Sequence, residues 1–283
     1  MSTRNPSAPV YRDWDQQTLD AAYDNSKAVP NVQNYLADWT ARSEIMRARP
    51  GAVLDRPYAD GARTCTDFLP APGEGGPLFV FIHGGYWQRN AKEMFAFVAE
   101  GLHPLGINVA LVGYTLAPEA TLTQIVSEID LALEALMRDA GAPAFSRDAV
   151  VVGGWSAGGH LAAMAARSAA IRGVMPISGI FDLEPIAASY LDAALHLTPA
   201  EVEALSPLRI AADLAAPTCL YVGGDELPEL RRQTDEYHAA REAAGLSGTC
   251  TLLPGCNHFE VLEHFANPDS VLCRDLLAML RTP

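Results

Sequence analysis

One heptapeptide constrains this chain more than any other stretch: Gly154-Trp155-Ser156-Ala157-Gly158-Gly159-His160. Gly154, Ser156 and Gly158 satisfy G-x-S-x-G, the nucleophile elbow, in which a serine sits on a sharp turn between a strand and a helix. The flanks suit that context. Ala149 to Gly153 is short and apolar, like a strand covered on both faces. Leu161 to Ala170 is mostly Ala and Leu, good helix formers. Such a turn raises the serine hydroxyl above the strand ends. Strand and helix pass so close to it that the neighbouring residues must be small. Gly154, Gly158 and Gly159 meet that need.

The rest of the chain alternates strand and helix. Residues 53 to 70 read as strand-like, with Asp60-Gly61 as a hairpin turn signal. Leu78 to Ile82 (LFVFI) is the continuous apolar run of a strand buried on both faces. It ends in His83-Gly84-Gly85-Tyr86-Trp87. A helix is expected over Lys92 to Leu102 and a buried strand over Ile107 to Tyr114. A long helix should run from Leu122 to Asp139, where Ile125, Ile129, Leu133 and Leu136 recur near helical spacing. Beyond the elbow, Gly173 to Ile177, Pro217 to Val222 and Gly248 to Leu253 read as strands. Leu230 to Ala244 and Ser270 to Arg281 read as helices. This alternation implies an α/β fold, a mostly parallel sheet flanked by helices. Ligand sites in such sheets lie beyond the carboxyl ends of the strands.

With 283 residues, a single domain spanning 1–283 is the expected organisation. Two stretches stand outside the alternation. Residues 1–50 carry two amphipathic segments, Thr18 to Tyr23 and Val32 to Arg49, with Trp39, Ile45 and Met46 among the apolar positions. This helical arm is too short for a domain and is expected to overhang the site. Residues 184–207 form an irregular, cap-like insertion, in which Thr198-Pro199-Ala200-Glu201 is a capped helix start.

A serine hydroxyl is a poor nucleophile at neutral pH and needs a base, itself oriented by a third group. On an elbow fold these follow in the order serine, acid, histidine. Five histidines follow Ser156. His160 lies one turn along the elbow helix and reads as structural. His196 falls in the insertion, His238 lies mid-helix with an exposed reading, and His264 lies on a short exposed helix. His258, in the loop after the last strand, occupies the place of the base. Asp225 and Glu226 follow the preceding strand, and either can orient it. For the oxyanion, the donors are the N–H of Ala157, after the serine, and those of the loop at Gly84 and Gly85. Tyr86, Trp87, Phe181, Tyr190 and Phe259 fall in the strand-end loops and are candidates for an aromatic-lined pocket.

Composition excludes several other classes. The net charge of −14 argues against nucleic acid and anionic membranes as partners. No apolar run is long enough to span a membrane, and the polar stretch from Met1 to Pro30 lacks a signal-peptide core. The five cysteines, Cys65, Cys219, Cys250, Cys256 and Cys273, contain no C-x-x-C pair and read as reduced thiols of a cytoplasmic protein. Cys219 and Cys250 fall in strands expected to be buried. No cofactor or metal is called for: there is no H-E-x-x-H and no P-loop, and the spacing of His258, Glu260, Glu263 and His264 fits no zinc motif. The expected partner is a small-molecule substrate, with a homodimer left open.

These residues resemble a known group. His83-Gly84-Gly85-Tyr86-Trp87 matches the HGGxW motif of kynurenine formamidase-like (arylformamidase-like) α/β-hydrolases, relatives of the hormone-sensitive-lipase-type esterases. Gly154 to Leu161 resembles their G-x-S-A-G-G-H-L elbow. Ser178 to Pro185 resembles the segment leading into their cap, and Leu227 to Gln233 their acid-loop tail. The arm with Tyr23 and Trp39 is also similar. The resemblance implies an α/β-hydrolase fold with a small cap and a metal-free serine hydrolase acting on a small aromatic amide or ester, such as N-formylkynurenine. Its acid-loop motif carries the catalytic acid to Glu226; a loop shifted by one would give Asp225. The rivals are a short-acyl carboxylesterase, a hydrolase of another small amide or enamide, and a ligand receptor on the same scaffold.

Overall fold

The computed structural model describes residues 9–138 and 144–281. Residues 1–8 of the polar N-terminus and Asp139, the expected end of the long helix, lie outside them. Among the described residues eight strands form one sheet. They are β1 (Val53–Pro57), β2 (Cys65–Leu69), β3 (Leu78–Ile82), β4 (Asn108–Val112), β5 (Val150–Trp155), β6 (Gly173–Ile177), β7 (Thr218–Gly223) and β8 (Gly248–Leu253). Their order is β1-β2-β4-β3-β5-β6-β7-β8. β1 and β2 form an antiparallel hairpin, and β2 runs antiparallel to β4. Every other pairing is parallel.

β3 is the fork of this topology. The chain leaves it for β4 on one side and returns to β5 on the other, with Ile82 paired to Val112 and to Gly154. Strand order reverses there, which opens a crevice at the carboxyl ends of β3 and β5. The apolar run of β3 serves both faces by alternation. Val80 and Ile82 join a core with Ile125, Ile129 and Leu133. Phe79 and Phe81 join the opposite core with Leu272, Leu276 and Trp39.

The helices follow the expected pattern with local differences. The arm holds three: α1 (Gln16–Ala21), α2 (Asn25–Ala28) and α3 (Val32–Arg47). Trp39, Ser43 and Met46 share the buried stripe of α3, and Ile45 falls off it and is exposed, against expectation. Residues 92–102 are a 3-10 helix (Lys92–Val98) running into a short α4 (Ala99–Leu102) rather than one α-helix. Phe95, Ala96, Phe97 and Val98 are all buried, so packing on every side overrides the α preference. α5 covers Leu122–Arg138. The elbow helix α6 (Ala157–Met164) begins four residues earlier than its composition suggests, directly after Ser156, and gives way to a 3-10 turn at Ala165–Arg167.

The insertion holds α7 (Glu184–Ala188), α8 (Asp192–Leu195) and α9 (Pro199–Leu205). Thr198 and Glu201 form the reciprocal capping box at the start of α9. α10 (Pro228–Ala243) and α11 (Val271–Arg281) complete the set. All five cysteines are free thiols. Cys219 and Cys250 are only half-buried, because β8 is an edge strand and leaves the outer sheet partly open. Among the described residues no helix is long and apolar enough to cross a membrane.

Candidate active site

The elbow is built as its glycines require. Ser156 has φ 58° and ψ −119°, a conformation that L-residues avoid unless surroundings hold it. β5 and α6 touch at the turn: a Cβ on Gly154 would stand 2.1 Å from the Gly158 carbonyl oxygen. The Ser156 N–H donates to the Ile177 carbonyl at 2.9 Å, which fixes the turn to β6.

His258 and Glu226 come from the ends of neighbouring strands, β8 and β7. The Nδ1 of His258 lies 2.6 Å from Oε2 of Glu226, and both side chains are closed to solvent. With Nδ1–H committed to the carboxylate, the neutral ring carries its lone pair on Nε2, the tautomer a base requires. The other carboxylate oxygen, Oε1, accepts from the Gly223 N–H at 2.7 Å and from the Ser178 hydroxyl. Asp225, its neighbour, is exposed and makes no such contact. The loop bearing His258 is shaped by Asn257, whose Oδ1 accepts from the N–H groups of Phe259 and Glu260 at 2.9 and 3.1 Å.

Ser156 and His258 line one cavity of about 230 Å³. Gly85, Tyr86 and Phe259 also line it. Gly84 lies behind, against the elbow, where a Cβ would come within 2.6 Å of the Trp155 carbonyl. Ala157 is the first residue of α6, so its N–H has no partner within the helix. Among the described residues, the N–H groups of Gly84, Gly85 and Ala157 donate to no protein acceptor. They are available to a developing negative charge, with the positive end of the α6 dipole behind them.

Three of the five pocket aromatics lie elsewhere. Trp87 is wholly buried: Tyr86, its neighbour on the same turn, takes the cavity side, and the Trp87 ring packs into the core, edge-on to His160 at 5.0 Å. Phe181 is wholly buried and stacks on Tyr237 at 4.5 Å. Tyr190 lines a separate cleft of about 870 Å³ with Asp15, Asp20 and Asp24 of the arm. That larger cleft contains neither Ser156 nor His258.

The remaining histidines fall away from the chemistry. His160 donates Nε2–H to the Leu205 carbonyl at 2.7 Å, and burial pushes its pKa down to about 4. His83 donates Nδ1–H to the Gly84 carbonyl at 2.8 Å and stacks on Tyr114; burial likewise lowers it to about 4. His196 is exposed at the end of α8. His238 and His264, expected to be exposed, are half-buried, since α10 and the turn after His258 pack against the sheet. Among the described residues no group of three or more His, Cys, Asp or Glu side chains could hold a metal ion.

Sequence reasoning missed two contributors. Trp155 donates its indole N–H to the His258 carbonyl at 2.8 Å, tying the elbow to the histidine loop. Ser178 holds Glu226. The arm, expected to overhang the site, supplies a wall of the cavity through Asn25, Val32, Gln33 and Leu36. Asn25 donates to the Tyr86 hydroxyl at 3.0 Å, and Tyr86 donates to the Tyr23 carbonyl at 2.5 Å. The insertion, expected to share this role, contributes no residue to that lining.

An elbow serine, a buried histidine–carboxylate pair and unused N–H groups at the switch point of a parallel sheet define the class: a hydrolase of the α/β-hydrolase fold. The comparisons agree. A family model described as BD-FAE matches residues 68–184. A kynurenine formamidase of Salmo salar is 30% identical, over 88% of this chain and 89% of that protein. One of Danio rerio is 28% identical over 95% and 98%. A solved candidate thioesterase from Silicibacter sp. TM1040 superposes with a TM-score of 0.83 at 29% identity, covering 93% of this chain and 99% of that one. The chain belongs to the kynurenine formamidase family.

Proposed function

We propose that the protein cleaves a small aryl formamide, N-formylkynurenine in the first instance, through an acyl-enzyme. Ser156 attacks the formyl carbonyl while His258 takes its proton. Glu226 orients the ring and stabilises its charged form. The N–H groups of Gly84, Gly85 and Ala157 bind the oxyanion. His258 then returns the proton to the departing aniline, and water releases formate by the same route in reverse.

The observation that carries this reading is the His258–Glu226 pair at 2.6 Å, closed to solvent beside a cavity shared with Ser156, in a member of this family. Two features support the substrate. The cavity, at about 230 Å³, is smaller than the roughly 300–1,000 Å³ of drug-sized ligand sites, which suits a one-carbon acyl group. Tyr86, Trp155 and Phe259 line the cavity, and a ring contact between one of them and an aryl leaving group is worth about 0.5–1.5 kcal/mol beyond area burial. Five unpaired thiols suit a reducing, cytoplasmic setting.

The test is a kinetic comparison of N-formylkynurenine with short nitrophenyl esters. The expected kcat/KM for the formamide is at least about 10⁴ M⁻¹s⁻¹. A value roughly a hundredfold below that of a short aryl ester would make the protein an esterase of the same family.

A further inference from the structure

The cavity holding Ser156 and His258 carries one fixed charge, and it is positive. Among the described residues Arg89 is its only lining residue with a permanent charge, and no carboxylate lines it. This is unusual for the chain, which has 34 acidic and 20 basic residues. Its other prominent arginines are saturated. Arg42 pairs with Asp38, Glu100 and Glu263, Arg209 with Asp182, Glu184 and Glu203, and Arg232 with Glu229 and Glu236. Among the described residues no carboxylate pairs with Arg89. Its side-chain neighbour is the neutral phenol of Tyr190. Of the two carboxylates near Tyr190, Asp24 is held by Lys27 at 2.9 Å, and Asp20 accepts from the Tyr190 N–H and from Gln16, each at 2.9 Å.

The stem of Arg89 is fixed to the oxyanion loop. Its N–H donates to the Gly85 carbonyl at 3.0 Å. Gly85 has φ +117°, and a Cβ there would meet the Arg89 carbonyl at 2.4 Å, so only glycine allows the turn to close this tightly. Asn90, the next residue, donates from Nδ2 to the Gly84 carbonyl at 3.2 Å. The guanidinium therefore projects from a rigid point beside the reacting carbonyl's place, while its end remains exposed.

We propose that Arg89 determines specificity, selecting substrates that carry a single carboxylate on the leaving group, remote from the scissile bond. A planar guanidinium pairs with a carboxylate through two parallel hydrogen bonds, which fixes orientation as well as charge. One cation, with no carboxylate among the described lining residues, matches one carboxylate group, whether or not the substrate also carries an ammonium. A phosphate dianion would remain half-neutralised there and be repelled by the surrounding charge. Without a carboxylate, Arg89 gains nothing from the substrate and the leaving group is held by ring contacts alone. This inference rests on the reading of Ser156 and His258 as the reaction centre and extends it to the far end of the ligand.

The experiment uses two substrate series. One pairs N-formylkynurenine with its carboxamide analogue, in which the carboxylate is replaced by a primary amide. The other pairs 4-acetoxybenzoate with 4-acetoxybenzamide. Each is measured with the wild type, Arg89→Gln and Arg89→Lys. The wild type should prefer the carboxylate member. In Arg89→Gln that preference should fall about tenfold to a hundredfold, mainly through KM, the size expected for a charge-assisted hydrogen bond. Arg89→Lys should retain part of it, since it keeps the charge and loses the fork. No carboxylate preference in the wild type, or an equal loss on all four substrates in Arg89→Gln, would overturn the inference. Inert formamides with an Arg89-dependent preference among the acetates would sink the formamidase reading and leave this one standing. If all four are inert, both fall.

Discussion

The Ser178 hydroxyl donates a hydrogen bond to Glu226 on Oε1, the oxygen that His258 does not use. Ser178 stands at the end of β6 with φ 50°, a left-handed conformation that turns its side chain toward the end of β7. Oε1 thus holds two donors, Ser178 and the Gly223 N–H, and Oε2 is left for the histidine. The carboxylate cannot rotate without breaking these contacts, which keeps the His258 ring in one orientation.

Ser178→Ala is expected to lower kcat about tenfold with little change in KM, the equivalent of one charge-assisted hydrogen bond. In a Glu226→Ala background the same change should cost almost nothing more, because the two residues act as one unit. An additive loss in the double variant, or an effect on KM alone, would show that Ser178 does not act through Glu226.

Ser156→Ala and His258→Ala should each lower turnover by about 10⁴- to 10⁶-fold, with no greater loss when combined. Glu226→Ala should cost less than either. Asp225 is exposed while Glu226 is buried against His258, so Asp225→Ala should change turnover by less than about twofold. A crippled Asp225 variant beside an active Glu226 variant would reverse the assignment of the acid.

Acyl-chain length should be limited by the arm. Val32 and Leu36 wall the cavity, and α3 is pinned beneath them by Trp39, wholly buried, with its indole N–H 2.5 Å from Glu263. Esters of palmitate should be cleaved at less than about 1% of the rate of acetate esters, since there is no room for the chain without displacing packed side chains. Leu36→Ala should move the optimum toward longer acyl groups. A wild type that hydrolyses palmitate esters as fast as acetate would show that the arm does not close the cavity.

Stability should fall in mild acid. Burial holds the rings of His83 and His160 down to a pKa of about 4, against an ordinary value of 6.5. Between these values the unfolded chain binds protons that the folded one does not, so stability declines as pH drops from about 6.5 toward 4. Each ring contributes on the order of 3 kcal/mol across that window. Urea unfolding at about pH 7.5 and about pH 5 should show the lower midpoint at the acid pH, and His160→Gln should make the difference smaller. Equal midpoints would contradict the burial argument.

Local sequence determined the parts whose physics is local. The elbow was legible because a strained serine between a strand and a helix admits only small neighbours, and Gly154 and Gly158 are separated by the required spacing. β3 was legible because a strand buried on both faces reads as an unbroken apolar run, and the capping box at Thr198 and Glu201 because both partners lie within one turn. His258 followed from chain order, as the loop after the last strand. Between Glu226 and Asp225 the local pattern left both open, and only the resemblance of the acid-loop tail pointed to Glu226. Adjacent residues on a turn point in different directions, and the fold of β7 against β8 decides which one meets the histidine. The pocket was decided the same way. The Trp87 ring is taken up by core packing against His160, while Asn25, Val32 and Leu36, remote in sequence from the elbow, arrive at the cavity because the arm packs across the strand ends. Ser178 stayed hidden because its partner lies 48 residues further along the chain. Pairing across that separation depends on sheet order, which no local pattern encodes.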